Sequence, residues 1–454
     1  MTRDRSGTEA ITLRVRPIPA DTLTPVRAFL ALTAPGEDAI LLESVAGGES
    51  QARFSFLGYS PLAVWTSGNA VRDVFADLSG WLGSLPNPGE ACGLPFLGGA
   101  VGWMDFSAFG LAEPASEKSF PGARASRMTF AGFSSGVVFD HLHQTCHLYA
   151  AGRSAEETGG VFAAMEAALA APLPPARPAS FTRRRSPDRE RFSRNFAEVK
   201  ERILAGDAYQ VVLSEPFEGD FRGDPFAVYR GLRRLNPSPY HFYVSIGGRQ
   251  VVGASPEMLL RTEGGRLTTV PIAGTRPRGA SPDEDAALER DLLSDPKELA
   301  EHAMLVDLAR NDLGRVCRHG SVRVAVRHSV ERFSHVMHLT SVVEGDLAPG
   351  FTSLQALRHA FPAGTVSGAP KIRAVEILSG LEGEDRGIYG GAVGILDAGG
   401  DLETCIAIRT VEFSGGVARF RAGAGIVADS VEEAEWKEIH HKAGALLASL
   451  GETP

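Results

Sequence analysis

Two stretches of the chain each carry a pair of glutamates three residues apart: Glu298 and Glu301 in DPKELAEHAMLVDLARND, and Glu435 and Glu438 in DSVEEAEWKEIHHKAGALLASL. Residues at that spacing share one face of a helix. In the first stretch Leu305 and Leu308 fall within about 80° of the glutamate face, so the carboxylates turn toward the protein. In the second, Ile439, Lys442 and Leu446 lie on the glutamate side. Asp295 reads as an N-cap with Pro296 in the first turn, and Ser430 with Glu433 reads as a capping box. Inward carboxylates need a partner. A hard divalent cation such as Mg²⁺, which prefers oxygen ligands and retains some water, would satisfy them. Paired glutamates also decorate ordinary solvated helix faces, and the two readings stand level on spacing alone.

Further groups suit an anionic ligand. PAGTVSGAPK (Pro362–Lys371) is a loop able to turn backbone N–H groups toward an anion, or a structural turn. It lacks the Gly-Lys-Ser/Thr of a nucleotide-binding loop, because Pro370 precedes Lys371. GAGIV (Gly423–Val427) follows a strand and lets a ligand approach the backbone. Arg409, at the end of a Cys405–Arg409 strand, could fork a carboxylate or form a surface ion pair. Glu257 in GASPEML, and His335 and His338 in ERFSHVMHL, are candidate acid and base groups that also fit loop, core or surface roles.

The elements that must hold these groups are legible in outline. Short β-rich runs occur at Ala39–Ser44, Gly136–Phe139, Cys146–Tyr149, Tyr209–Leu213, His241–Ile246, Gln250–Ala254, Leu267–Val270, Gly391–Leu396, Cys405–Val411 and Ala418–Ala424. Many are joined by glycine turns at hairpin spacing. Helical spacing marks Phe192–Ala205, Asp283–Ser294, Pro296–Ala309, Ser353–Ala360, Ile372–Leu378 and Val431–Leu450. Clustered hairpins with helices in separate blocks indicate an α+β fold. Residues 171–190 combine proline with a basic run and read as a linker. It divides the chain into a region over 1–175 and a second over 190–450. There is no internal repeat.

The 454 residues are 43% apolar, enough for two domains or one large one. A net charge of −9 argues against a nucleic-acid partner. Cys92, Cys146, Cys317 and Cys405 are widely spaced and read as reduced thiols. No apolar run of about 18 residues indicates a membrane span, and no signal-length run opens the chain. A cytoplasmic enzyme is the expectation.

Taken together and in order, NPSPYHFY, VVGASPEML, PIAGTRPRG, HAMLVDLARNDLGRV, ERFSHVMHL, FPAGTVSGAPKIRA, YGGAVG, ETCIAIRT and RAGAGIVADS carry a resemblance. The chain resembles the chorismate-utilising enzymes, and within them the large subunits of anthranilate synthases. The likeness is dense over 190–450 and looser over 20–150. It implies a two-layered antiparallel β-sheet core flanked by helices. It implies a Mg²⁺ site with Glu301 and Glu438 as direct ligands and Glu298 and Glu435 holding metal-bound water. Gly274 and Thr275 match the loop under the substrate ring. Tyr389, Arg409, Gly423 and Gly425 match the cradle of the enolpyruvyl carboxylate, and Lys442 a position near metal and substrate. Glu257 matches the acid that assists departure of the 4-hydroxyl. His335 matches the base of the elimination step, and Thr365 also belongs to the catalytic set. The implied reaction is amination of chorismate by ammonia at ring carbon 2, then loss of pyruvate to give anthranilate.

Sister enzymes differ in nucleophile. Water-adding relatives carry a lysine where Gln210 opens QVVLS, and many aminodeoxychorismate synthases carry one where Ala273 stands in PIAGT. Direct attack by ammonia is what remains. A 2-amino-2-deoxyisochorismate synthase and an aminodeoxychorismate synthase component I stay open as alternatives, as does a non-catalytic chorismate- or tryptophan-binding regulator. No amidotransferase elbow is present, so ammonia would come free or from a separate glutamine amidotransferase subunit (component II). Glu43 and Ser44 of LLES, with Pro239 and Tyr240 of NPSPY, resemble a tryptophan feedback site. His241 stands where methionine is commoner. LSEPF (Leu213–Phe217) and GWMDFSAFG (Gly102–Gly110) also depart from the family pattern.

Overall fold

The computed structural model describes residues 11–44, 53–68, 73–86, 94–95, 97–175, 178–333 and 336–452. Every strand pairing among them is antiparallel, and the strands join into one continuous network. The network has two arms that share the long strand Met128–Asp140, which pairs with Phe54–Thr66, Ala100–Met104 and Thr145–Gly152. One arm runs through Ala39–Glu43, Tyr240–Ile246, Arg249–Ser255, Thr410–Ser414 and Val417–Ile426 to Gln210–Arg222. The other runs through Ala392–Leu396, Leu402–Ile406, Met258–Glu263 and Arg266–Thr269 to Val336–Asp346 and Ile272–Pro277.

The arms fold face to face as two layers. Ile40, Phe242, Val244 and Val251 from one meet Val101, Trp103, Val393 and Cys405 from the other in a shared apolar core. Helices cover the outer faces. Arg189–Leu204, Pro225–Leu235, Lys371–Glu382 and Glu432–Ser449 lie on the first arm, and Ser353–Ala360 and Pro296–Gly314 on the second. The α+β class and the layered sheet expected from the sequence are those found. Strand pairs Ala39–Glu43 with Tyr240–Ile246, and Ala100–Met104 with Ala392–Leu396, tie the N-terminal third into the same sheet as the rest.

Three local expectations need correction. Residues 171–190 are not simply a linker, because Ser180–Arg185 is a strand paired with Gln210–Arg222. Its arginines are held by acids: Arg183 by Glu452, Arg184 by Asp220 and Arg185 by Glu384. Charged residues suit a sheet edge. The Cys405–Val411 run is two strands, Leu402–Ile406 and Thr410–Ser414, separated where the chain crosses from one layer to the other. The Glu432–Ser449 helix has Val431 at its N-cap and no side-chain cap. The Ser430 hydroxyl instead accepts from Val427 N at 3.1 Å and donates to Gly425 O at 3.4 Å, pinning the helix to the glycine strand.

A buried charge network locks the GWMDFSAFG segment in place. Asp105 is fully buried and accepts from Arg249 at 2.6 and 2.9 Å, while Arg249 also reaches Glu412 at 2.6 Å. Removing one member of such a network leaves an uncompensated buried charge. We expect Asp105→Ala to lower unfolding stability by about 3 kcal/mol or more, read from the urea midpoint. A shift under about 0.5 kcal/mol would place Arg249 in solvent contact that the packing does not show.

Candidate active site

A cavity of about 210 Å³ opens between the layers. Glu257, Gly274, Thr275, Glu301, Thr365, Tyr389, Arg409, Gly423, Gly425, Glu438 and Lys442 all line it. Eleven candidates scattered over 186 residues of sequence therefore meet in one place. The two acidic helices supply Glu301 and Glu438 from opposite layers, and the strands Ile272–Pro277 and Val417–Ile426 supply the glycines.

The acidic wall is crowded. Burial raises the Glu301 carboxyl above its ordinary value, and the charges of Glu298, Glu438 and Glu435 raise it further. Burial likewise raises Glu435, helped by Glu438 and opposed by the Ser430 hydroxyl. Three of the four acids have makeshift partners. Glu301 accepts from Gln210 Nε2 at 3.3 Å, Glu438 pairs with Lys442 at 2.6 Å, and Glu298 pairs with Arg276 at 3.1 Å. Glu298 and Glu435 are not among the residues that line the cavity. Among the described residues no three His, Cys, Asp or Glu side chains are gathered closely enough to hold a metal by themselves. The set fits a cation that takes one or two carboxylates and completes its shell with water and substrate oxygen, as Mg²⁺ does. The mutual repulsion at Glu301 is what such an ion would relieve.

The cations Arg409 and Lys442 also line the cavity. Arg409 lies at the layer crossing with a left-handed backbone (φ 50°), an uncommon conformation for a residue with a side chain. Its carbonyl accepts from Ala254 N at 3.2 Å, and its Nη1 donates to Asn236 Oδ1 at 3.1 Å. Burial lowers its pKa from the ordinary value, and only the charge of Glu257 opposes that. This is no surface ion pair but a fork held in the cavity. Burial disfavours the Lys442 ammonium, yet Glu438 and Tyr389 hold its pKa above the ordinary value. Lys442 Nζ also donates to Gly423 O at 3.0 Å. Two glycines are required by approach. A Cβ at Gly423 would stand 2.5 Å from the Tyr389 hydroxyl, and one at Gly425 would strike the Gln210 amide.

Acid and base groups complete the site. Burial pushes the Glu257 carboxyl up to about 8, against the pull of the Thr365 hydroxyl, the Ile272 backbone, Lys442 and Arg409. Glu257 is thus a neutral acid at pH 7. His335 lies outside the described residues. The histidine found in the cavity is His338, whose Nδ1 is 3.2 Å from Gly274 O and 3.0 Å from Thr275 Oγ1. A carbonyl only accepts, so the proton sits on Nδ1 and Nε2 carries the lone pair. Burial pushes this imidazole down to about 4, leaving it neutral.

The strand rhythm carried signals that the motif reading passed over. Met337 and Leu339 are both buried in the core, so His338 between them points the other way. Arg421 shares the cavity face with Gly423 and Gly425 at the same two-residue period. It is buried, donating to Ser214 Oγ at 2.9 Å, Ser214 O at 3.0 Å and Glu384 at 3.1 Å. Gln210 is also buried there, and its Oε1 has no hydrogen-bond partner among the described residues.

A second cavity, of about 370 Å³, is lined by Glu43, Ser44, Pro239 and Tyr240 with Phe54, Phe56 and Met258. The Tyr240 hydroxyl donates to Glu403 at 2.9 Å. His241 is buried and its Nε2 accepts from Ser238 N at 3.1 Å, a structural duty.

Comparison with known proteins adds an independent line. A family described as chorismate binding enzyme matches residues 70–448. The chain is 43% identical over 450 residues to anthranilate synthase component 1 of Streptomyces coelicolor, covering 95% of this chain and 87% of that one. It is 42% identical over 448 residues to anthranilate synthase component 1 of Thermus thermophilus, covering 95% and 96%. Its structure matches the crystal structure of anthranilate synthase component I from Streptococcus pneumoniae with a TM-score of 0.79 at 37% identity, covering 94% and 98%.

The Glu257 environment is testable without any assay of turnover. A raised carboxyl pKa means the protonated form persists through neutrality and is lost above it. Difference infrared spectra of the wild type minus Glu257→Gln should show a protonated-carboxyl band that fades with a midpoint near pH 8. A midpoint at an ordinary carboxylate value would show Glu257 to be solvated.

Proposed function

The chain belongs to the chorismate-binding enzyme family, and we propose that it aminates chorismate with ammonia and expels pyruvate to give anthranilate. One observation carries this reading. A neutral acid (Glu257), a neutral imidazole (His338), a carboxylate fork (Arg409) and a carboxylate wall (Glu301, Glu438) face a single cavity, with glutamine and alanine at the positions where sister enzymes place a lysine.

Chorismate is a dianion. Arg409 takes the enolpyruvyl carboxylate, with Tyr389 and the backbone at Gly423 and Gly425 shaping its cradle. Gly274 and Thr275 lie under the ring. Glu301 and Glu438 are the residues that would hold Mg²⁺, backed through water by Glu298 and Glu435; bound there, the ion supplies Lewis-acid neutralisation of the ring carboxylate. Ammonia adds at ring carbon 2 while Glu257 gives its proton to the departing 4-hydroxyl, which leaves as water, and the ammonium formed at carbon 2 loses a proton to solvent. Thr365 stands beside that acid. His338 then removes the proton at carbon 2, the ether bond breaks as the ring becomes aromatic, and the enolate of pyruvate that leaves takes up that proton to become pyruvate. This role falls to His338 because its ring lines the cavity and is neutral.

Ammonia comes from solution or from a separate glutamine amidotransferase subunit (component II), as the component 1 designation of the relatives suggests. The second cavity is the candidate tryptophan feedback site, with aromatic walls at Phe54 and Phe56 and charged groups at Arg53 and Glu403. Cytoplasmic residence is supported by Cys146, Cys317 and Cys405, which are free and buried. Among the described residues no helix is long and apolar enough to cross a membrane.

The deciding experiment is mass spectrometry of the product made from chorismate, an ammonium salt and Mg²⁺. Anthranilate is expected; a para-aminated product or a hydroxylated ring would overturn the reading. Glu438→Gln should lower kcat at least ~10²-fold with the fold unchanged by circular dichroism, and near-normal turnover at low Mg²⁺ would remove it from the metal site. His338→Ala should accumulate the aminated, non-aromatic intermediate. Anthranilate formed alone at the normal rate would remove His338 from the elimination. Because Glu257 acts in its protonated form, kcat/KM should fall as pH rises through about 8.

A further inference from the structure

Behind Glu257 lies another, smaller cavity of about 40 Å³. Glu257, Thr365 and Leu305 line both it and the substrate cavity, so the acid and the threonine form part of the partition between them. Apolar side chains such as Ala309 and Leu313 make up most of the remaining wall, and Asp312 closes it. Asp312 Oδ2 accepts from Lys371 Nζ at 2.9 Å. That ammonium spends its other donors on the carbonyls of His359, at 3.2 Å, and Ala360, at 2.9 Å. Neither Asp312 nor Lys371 has a part in the chemistry described above.

The small cavity has the size and the groups to hold water. It has room for roughly two or three molecules, and a buried water needs two to four polar partners. Thr365 lines this cavity, and its Oγ1 is buried near enough to the Glu257 carboxyl to lower its pKa, yet has no partner at hydrogen-bond distance among the described residues. The carboxyls of Glu257 and Asp312 and the hydroxyl side chain of Thr269 line the same space.

The proposed reaction creates a demand there. Each turnover leaves Glu257 ionised in surroundings that disfavour the ion, and the acid must regain a proton before the next. We propose that water in the small cavity relays that proton from the Asp312–Lys371 pair to Glu257, which makes Asp312 and Lys371 positioning residues for the acid. Lys371 gives a proton to Asp312, Asp312 to water, and water to the Glu257 carboxylate, each hop breaking one bond to hydrogen and forming another. The pair regains its proton from solvent, to which the Lys371 and Asp312 side chains are 10% and 13% exposed. Burial raises the Asp312 carboxyl and lowers the Lys371 ammonium, which brings their proton affinities together and eases the first hop. The inference rests on the proposed role of Glu257 as the acid.

The test separates the first turnover, which begins with Glu257 already protonated, from the later ones. Anthranilate fluorescence is followed by stopped flow after mixing enzyme with chorismate, Mg²⁺ and ammonium. Two variants are used: Asp312→Asn removes the donor, and Ala309→Val fills the cavity while leaving the ion pair intact. In both we expect a burst of one product per site at a rate within about twofold of the wild type, then a steady state at least ~10-fold slower, with KM for chorismate unchanged. A merely structural role would slow both phases alike or neither, and either result overturns the relay. Should Asp312→Asn not fold, Ala309→Val decides alone. Wild-type enzyme that makes no anthranilate would instead sink the reaction itself and the relay with it, whereas an active wild type with burst-free variants sinks only the relay.

Discussion

Like charges held close together in a partly buried wall are the constraint around which this site is organised. Glu301 is raised by burial and by three neighbouring carboxylates, a state that persists only if the fold forces it or a ligand relieves it. The structure relieves it provisionally, with Lys442 on Glu438 and Arg276 on Glu298. Arg276 is a fixed partner, because it also holds Asp291 and Asp295 at 2.7 Å each and so anchors the start of the acidic helix. Lys442 has a second bond, to Gly423 O, which under the proposed function it keeps while yielding Glu438 to the metal ion. Arg276 is thus the more firmly held of the two cations, with three acids against one acid and one carbonyl for Lys442.

The sheet makes this possible by bringing two layers together at a point where the chain changes layer. Leu402–Ile406 pairs in one arm and Thr410–Ser414 in the other, and the three residues between them make the crossing. Arg409 ends that crossing in a left-handed conformation. Strain of this kind costs about 1–3 kcal/mol and survives only where the surroundings fix it. Here the Ala254 N–H bond to the Arg409 carbonyl and the Asn236 contact do so. The same crossing that bends the backbone presents the guanidinium to the cavity, so the fork is positioned by topology rather than by a local motif.

Much of this was legible in the sequence, and the failures have physical causes. Helical spacing located both glutamate pairs, because a carboxylate three residues from another and beside an apolar stripe has little choice of direction. The glycines at 423 and 425 were legible as approach points, though not what approaches: a tyrosine hydroxyl and a glutamine amide from distant segments. The resemblance points to His335, which lies outside the described residues, whereas strand alternation, with Met337 and Leu339 inward, is the signal that sets His338 across from Thr275. The capping box at Ser430 failed because the hydroxyl had better partners in the glycine strand. The strand within the expected linker was hidden by its charge, since its arginines are satisfied only by acids remote in sequence.

The nucleophile of the proposed reaction suits what the cavity can and cannot deprotonate. Water attacks a ring carbon only if a base takes its proton, whereas ammonia is already a competent nucleophile. Gln210 faces the cavity with its Nε2 committed to Glu301 and its Oε1 left as an acceptor. An amide oxygen can orient an N–H donor but cannot hold a full proton at neutral pH. Ala273 offers no amine for covalent attack. Glu257 is protonated, and the proposed mechanism assigns His338 to the later elimination, so neither serves as a base for water at the outset. A site with an acid ready, a base held for the second step and only an amide at the point of attack suits a nucleophile that arrives needing no activation.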